Sequence, residues 1–229
     1  MLQDTAAYQR LARVRRLLLF FYHQRIKGFA VPLDPHFDAS STEAFKDRIG
    51  RTRLYVEYGA GGSTLLAGRL GIRTISVESD RFFARRVRAA LPASAKATVL
   101  DINLGMTIEW SKPVFRTPTQ QRVKRWRRYV MAPFEQIGPG QGFPDFVLVD
   151  GRFRRACALE MARRAQVGEH PVTIMVDDYV GRPDYHVIEE YLGSPRLAGR
   201  AAFFEVMPAA AGQRRVPVSA VEEAMRDYR

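Results

Sequence analysis

The sequence predicts a single α/β domain: a mostly parallel sheet of about seven strands, helices on both faces, and a helical arm at the N-terminus. Three observations carry that expectation. Short apolar runs alternate with helical stretches along most of the chain and end in glycine or acidic residues. A glycine-rich turn follows the first of these runs and opens a helix. The chain has 229 residues, 46% of them hydrophobic, which suffices for one such domain with a substantial core.

The elements follow in order. Leu11, Val14, Leu18 and Phe21 recur at helical spacing among arginines, and Gly28, Pro32 and Pro35 end that arm. Ser40-Ser41-Thr42 offers an N-cap for a short helix through Ile49. Residues 1–50 therefore read as an arm or cap, and 51–229 as the main domain. Apolar runs at 54–58, 74–78, 97–100, 146–149 and 172–176 have the continuity of strands buried on both faces. Residues 202–207 and 215–218 are expected as two late strands that pair antiparallel, with a closing helix over 220–228. A segment from about 103 to 143 breaks the rhythm, because one helix and two loops need fewer residues.

Composition narrows the function classes. A single cysteine excludes a disulfide framework and a Cys-based zinc site, and Cys157, in a helix-like stretch, reads as a small buried side chain. His23, His36, His170 and His186 lie far apart without metal-ligand spacing. No apolar run is long enough to cross a bilayer, and no signal-peptide pattern precedes the domain, so a cytoplasmic location is expected. The net charge of +12 is compatible with an acidic partner, whether nucleic acid, anionic lipid or a phosphorylated substrate, and equally with solubility alone.

The chemistry concentrates at the ends of the strands. In Val56-Glu57-Tyr58-Gly59-Ala60-Gly61-Gly62-Ser63-Thr64, a strand ends, a glycine-rich turn follows, and a helix begins at about Ser63. Gly59 and Gly61 let the chain turn tightly, and the helix start offers unpaired amides to an anion. Thr64 stands where the dinucleotide fingerprint has its third glycine, and no phosphate loop of the GxxxxGK[ST] type is present. Glu78 ends the next strand about twenty residues after Gly59, where an acid can accept hydrogen bonds from both ribose hydroxyls. Asp101, followed by Ile102, ends the third strand, over the base edge of a nucleoside held by Glu78.

This series resembles the first three motifs of the class I S-adenosylmethionine (SAM)-dependent methyltransferase superfamily, over residues from about 53 to 207. The resemblance implies a Rossmann-like sheet with its last strand antiparallel. It also implies SAM held by Glu57, Gly59, Gly61, Ser63, Glu78, Asp101 and Ile102, with Asp150 beside the methyl group. In that family the strands ending in Asp150 and in Asp177-Asp178 are neighbours, roughly 4.8 Å apart, so three carboxylates converge. Such a group requires protons, arginine partners or a hard cation such as Mg²⁺ or Ca²⁺. The arrangement is similar to metal-dependent, catechol-type O-methyltransferases, with Asp150, Asp177 and Asp178 as the metal ligands. Phe153 stands where those enzymes have a lysine base. The rival reading pairs the acids with Arg152, Arg154 or Arg155. Candidate catalytic helpers are Asp150, Asp178, Tyr179 and His186.

The segment from Lys112 to Arg128 carries seven cations, no acid, and the aromatic residues Phe115 and Trp126, with Trp110 before it and Tyr129 after. Three readings stay open: a solvated helix with its aromatics packed inward, a grip on an acidic small molecule, or a nucleic-acid contact. The arm has three roles open as well, packing on the domain first, then a homodimer contact or an anionic membrane surface. The function expected is SAM-dependent O-methylation of a small acceptor, an acidic one included. The alternatives are a non-catalytic SAM- or nucleoside-binding interaction protein and a nucleic-acid-binding methyltransferase.

Overall fold

Residues 6–108, 112–138, 142–207 and 214–228 are described by a computed structural model. The chain starts with helix α1 (Ala6–Tyr22), which continues into a π-helical turn over His23–Lys27 and stops where Gly28 takes φ +79°. Helix α2 (Ala39–Ile49) is capped by Asp38, whose carboxylate accepts the Ser41 amide at 3.0 Å. The cap thus lies just before the hydroxyl run that the sequence offers. Ser41 instead sits buried, its hydroxyl 2.8 Å from the Ala198 carbonyl.

Strand β1 (Leu54–Tyr58), helix α3 (Gly62–Arg69), strand β2 (Arg73–Glu78), helix α4 (Arg81–Ala90) and strand β3 (Ala97–Asp101) form two successive βαβ units. A short ribbon, β4 (Thr107–Ile108) with β5 (Lys112–Pro113), precedes helix α5 (Gln120–Gln136). Strand β6 (Phe146–Val149), helix α6 (Arg154–Val167) and strand β7 (Val172–Val176) repeat the unit. A 3-10 turn over Pro183–Ile188 leads through α7 (Glu189–Leu192) to β8 (Arg196–Ala198), β9 (Ala201–Val206) and helix α8 (Val218–Ala224). The seven-stranded sheet has the order β3-β2-β1-β6-β7-β9-β8. β9 is antiparallel to both its neighbours and the remaining pairs are parallel.

Every residue of β1, β6 and β7 is buried, because the alternating side chains feed two cores. Val56, Tyr58, Val147, Val149, Ile174 and Val176 face α5, α6 and α8. Tyr55, Phe146, Leu148, Met175 and Phe203 face the other way, onto Phe45 and Ile49 of α2 and Ala67 of α3. The Tyr55 and Phe146 rings stack at 5.5 Å.

The late hairpin corrects the sequence expectation. Residues 215–217 form no strand. The Val216 amide donates to the Gln166 side chain at 2.9 Å, and Pro217 stands at the N-cap of α8. The partner of β9 is β8, immediately upstream.

The long segment before β6 resolves into the ribbon and α5. Trp126 and Tyr129 pack inward against Phe153, with ring centroids 5.3 and 6.2 Å apart. Lys124, Arg125, Arg127 and Arg128 point outward, and Phe115 is exposed. Trp110 lies outside the described residues, as does the Leu11 side chain. The arm packs on the domain, though not through the Val14 and Leu18 face. Val14 and Leu18 are exposed, and α1 meets the domain through the Phe20 and Phe29 rings, 5.9 Å apart, with Phe29 in turn 6.3 Å from Phe83. No helix among the described residues is long and apolar enough to cross a membrane.

Candidate functional site

Parallel pairing brings the C-terminal ends of β3, β2, β1, β6 and β7 to one edge, and the connections reverse direction between β1 and its two neighbours. In an open α/β sheet that reversal leaves a crevice at the strand ends. All the acids singled out in the sequence except Glu57 lie along this edge, and Glu57 lies just beneath it.

The turn after β1 is organised from below. Glu57 is fully buried, and its carboxylate accepts hydrogen bonds from Tyr55 at 2.9 Å, from Ser63 at 2.6 Å, and from Thr64. Thr64 in turn accepts the Gly61 amide at 2.9 Å. Burial pushes the Glu57 carboxyl up to about 7, against the pull of the Ser63 and Thr64 hydroxyls. These contacts consume the Glu57 and Ser63 side chains inside the protein, so both shape the turn and neither faces the crevice. Glycine is demanded at Gly59, where φ is +102° and a Cβ would lie 2.9 Å from the Gly151 amide. Its second demand falls on Gly62 rather than on the expected Gly61. A Cβ on Gly62 would lie 2.0 Å from the Asp34 carbonyl, whereas one on Gly61 meets open space.

At the end of β2, Glu78 accepts the amides of Ser79 at 2.6 Å and Asp80 at 2.8 Å. Its carboxyl is raised by burial. Asp80 caps α4 through the Phe82 and Phe83 amides, and it also accepts the Gln24 side chain at 2.6 Å. At the end of β3, the Ile102 amide donates to the Glu78 carbonyl at 2.7 Å, and exposed Asp101 pairs with Arg88 at 3.2 Å. A cavity of about 440 Å³ opens here, lined by Gln24, Ser79, Asp80, Asp101, Ile102 and Asn103. The arm thus supplies one wall, a contribution that no local sequence signal announces, because Gln24 and Asp80 are 56 residues apart.

The three carboxylates of Asp150, Asp177 and Asp178 do meet, with oxygens within 4.8 Å of one another. Arginines hold all of them. Arg154, itself buried, reaches Asp150 at 2.8 Å and Asp178 at 3.5 Å. Arg200 reaches Asp177 at 2.8 Å and Asp178 at 3.1 Å, and Arg182 reaches Asp178 at 3.0 Å. Of the arginines weighed from sequence, only Arg154 takes part; Arg155 pairs with Asp227 at 2.5 Å. Arg182 and Arg200 come from the far side of β7 and were not legible as partners. Burial raises the Asp150 carboxyl to about 6; Arg154 opposes that rise, and Asp177 and Asp178 add to it. Asp178 holds φ +53° and Phe153 φ +56°, left-handed values for side chains that rarely adopt them.

The Tyr179 ring is buried, its hydroxyl donates to Glu189 at 2.6 Å, and burial with that bond lifts the phenol far above its ordinary range. His186 stacks on the Tyr179 ring at 4.7 Å, as a packing residue.

The strand order, with one antiparallel strand near the edge, defines a Rossmann-like α/β domain of the methyltransferase type. A methyltransferase-like protein from Silicibacter pomeroyi DSS-3 is 31% identical, with a TM-score of 0.71, over 86% of this chain and 100% of that one. The chain belongs to the methyltransferase-like proteins and has the Rossmann-like sheet of the class I methyltransferase superfamily. A hypothetical protein from Thermus thermophilus (15% identical, TM-score 0.42, 79% of this chain and 94% of that) and a SAM-dependent methyltransferase from Neisseria gonorrhoeae (15%, 0.39, 75% and 69%) lie too far off to bear on the assignment. No protein-family model and no curated protein matches the chain.

Proposed function

We propose that this chain is a SAM-dependent methyltransferase acting on an oxygen of a small acceptor. The observation that carries the reading is the cavity of about 440 Å³ at the ends of β2 and β3, between the Glu78 turn and Asp101. Its lining offers a nucleoside polar edges in Ser79, Asp101 and Asn103 and an apolar face in Ile102, among the cations Arg25, Arg81, Arg85 and Arg88. Glu78 and Asp101 would hold the ribose and the base, and the backbone of Gly59 and Gly61 would face the amino-acid end. SAM supplies a methyl group on a sulfonium, open to displacement by an oxygen lone pair.

The residues do the rest by position and proton transfer. Asp150 lies next to Gly59, with its amide bonded to the Tyr58 carbonyl at 2.9 Å. A carboxyl raised to about 6 is ionised at neutral pH yet basic enough to take a proton from an acceptor hydroxyl. Arg154 fixes its orientation. Three carboxylates suit Mg²⁺ by donor type, but three guanidiniums already occupy their oxygens, and a dication there would meet three positive charges. The site therefore fits arginine neutralisation and does not fit a metal. α5 favours a small acceptor over nucleic acid: its own Trp126 and Tyr129 are buried, and Phe115, beside Arg122, is the exposed ring at its basic face among the described residues.

Calorimetric titration with SAM and its demethylated product tests the reading. Micromolar binding is expected, weakened by about 10- to 100-fold in Glu78→Ala, the loss of a hydrogen-bonded charged group. Absence of binding to the wild-type chain would overturn it.

A further inference from the structure

The arm uses only one of its sides to meet the domain. Phe20, Phe21 and Gln24 turn inward, toward Phe29 and the Asp80 turn. Beside that contact Val14, Leu18, Tyr22 and Ile26 form a row at four-residue steps, which the π-helical turn carries past the end of α1. All four are exposed, Leu18 by 65% and Ile26 by 73%, and Leu19 beside them is exposed too. The row spans about 18 Å at the helical rise.

The charge around it has one sign. Residues 6–27 contain six cations (Arg10, Arg13, Arg15, Arg16, Arg25 and Lys27) and no acid. α4 abuts the arm, with Arg86 donating to the Lys27 carbonyl at 3.1 Å, and it adds Arg81, Arg85, Arg86 and Arg88, again with no acid. Of these, Arg25, Arg81, Arg85 and Arg88 line the cavity on the inner side, and Arg15, Lys27 and Arg86 are exposed outside it.

We propose that this face docks on an anionic membrane surface, with the aliphatic row entering the headgroup boundary and the arginines meeting lipid phosphates. An exposed aliphatic row on a helix that carries cations and no acid matches an interfacial helix that lies in the membrane plane. A second copy fits poorly, since pairing two arms would bring together two segments of six cations each with no acid in either. Nucleic acid fits poorly as well, because aliphatic side chains give bases nothing to stack on, and Tyr22 is the single aromatic of the row. The inference stands apart from the cofactor reading: neither Leu18 nor Ile26 lines the cavity.

Vesicle flotation tests it with the full chain. Binding to phosphatidylcholine vesicles carrying added phosphatidylglycerol is expected to exceed binding to phosphatidylcholine alone by about tenfold or more, and to fall as salt rises. The double variant Leu18→Ser with Ile26→Ser should lose that binding while keeping the wild-type thermal midpoint, since both residues are exposed. Arg15→Gln with Lys27→Gln should weaken binding to the anionic vesicles alone. Equal affinity for both vesicle types, or no binding to either, would overturn the proposal. So would a wild-type dimer in light scattering that the Leu18→Ser, Ile26→Ser variant converts to monomer, since the row would then be covered by a second copy.

Discussion

Glu57 carries its acid where no ligand can touch it, and that placement has a thermodynamic signature. Its carboxyl rises from 4.5 to about 7, chiefly through burial. A group whose folded value is raised stabilises the fold fully below its unfolded value, and that contribution is lost as pH climbs through the folded value. The loss amounts to about 3 kcal/mol for such a shift. Asp150, raised from 3.8 to about 6, acts with the same sign over the lower part of the window. Stability is therefore expected to fall between about pH 4 and pH 7. In Glu57→Gln, whose amide can donate to the Ser63 and Thr64 oxygens as their hydroxyls rotate, most of that slope should vanish. Chemical denaturation at both ends of the window measures it, and identical slopes in wild type and variant would refute the assignment of the slope to Glu57. The sequence places Glu57 correctly at the end of a strand but not beneath its turn. Strand alternation tells which face a side chain takes, not which hydroxyls will close over it.

At the scale of elements, the sequence is most legible where burial is two-sided. β1, β6 and β7 announce themselves as unbroken apolar runs because each face meets its own layer of helices. β8 is an edge strand with two exposed residues and a half-buried third, so its apolar signal is weak. Residues 215–218, with valines at alternate positions, imitate a strand better than the true partner of β9 does. The arginine cage is illegible for a related reason: Arg200 sits on the β8–β9 turn, 23 residues from Asp177, and only folding joins them. The start of α3 yields a sharper expectation. The segment that leads from the arm to α2 crosses over this helix end, and the Asp34 carbonyl occupies the space that a side chain at 62 would need. Gly62→Ala should cost about 1–3 kcal/mol by overpacking against backbone, and Gly61→Ala distinctly less. Thermal melts of the two variants compare them, and equal losses would mean that the crossing segment yields freely.

For the whole molecule, the distribution of roles matters more than the count of motifs. The sheet edge holds the acids, α5 and α6 seal one face, and the arm reaches from the far end of the sequence to wall the cavity beside Asp80. Two surfaces of one arm thus serve two purposes, the inner one at the cavity and the outer one exposed. If the cavity takes the nucleoside of SAM, the buried Gln24 side chain is part of the binding energy without being near the methyl group. Removing its bond to the Asp80 carboxylate, 2.6 Å long, frees the arm from the cavity wall. A hydrogen bond to a charged acceptor contributes about 1.5–3 kcal/mol, so Gln24→Ala should raise the Kd for the demethylated product by about tenfold or more. Gln24→Glu, which sets one carboxylate against another, should raise it further. The fold should persist in both, because the two cores under the sheet contain no residue of α1 or of the π-helical turn after it. Ligand-induced stabilisation reads the same quantity independently: at a hundredfold excess over Kd the wild-type midpoint should rise by roughly 5–11 °C. At that same concentration the variants should show a smaller rise, in the order Ala then Glu. An unchanged Kd in Gln24→Glu would show that the arm wall and the ligand do not meet, and the nucleoside would then have to be sought along the edge between Gly59 and Asp150.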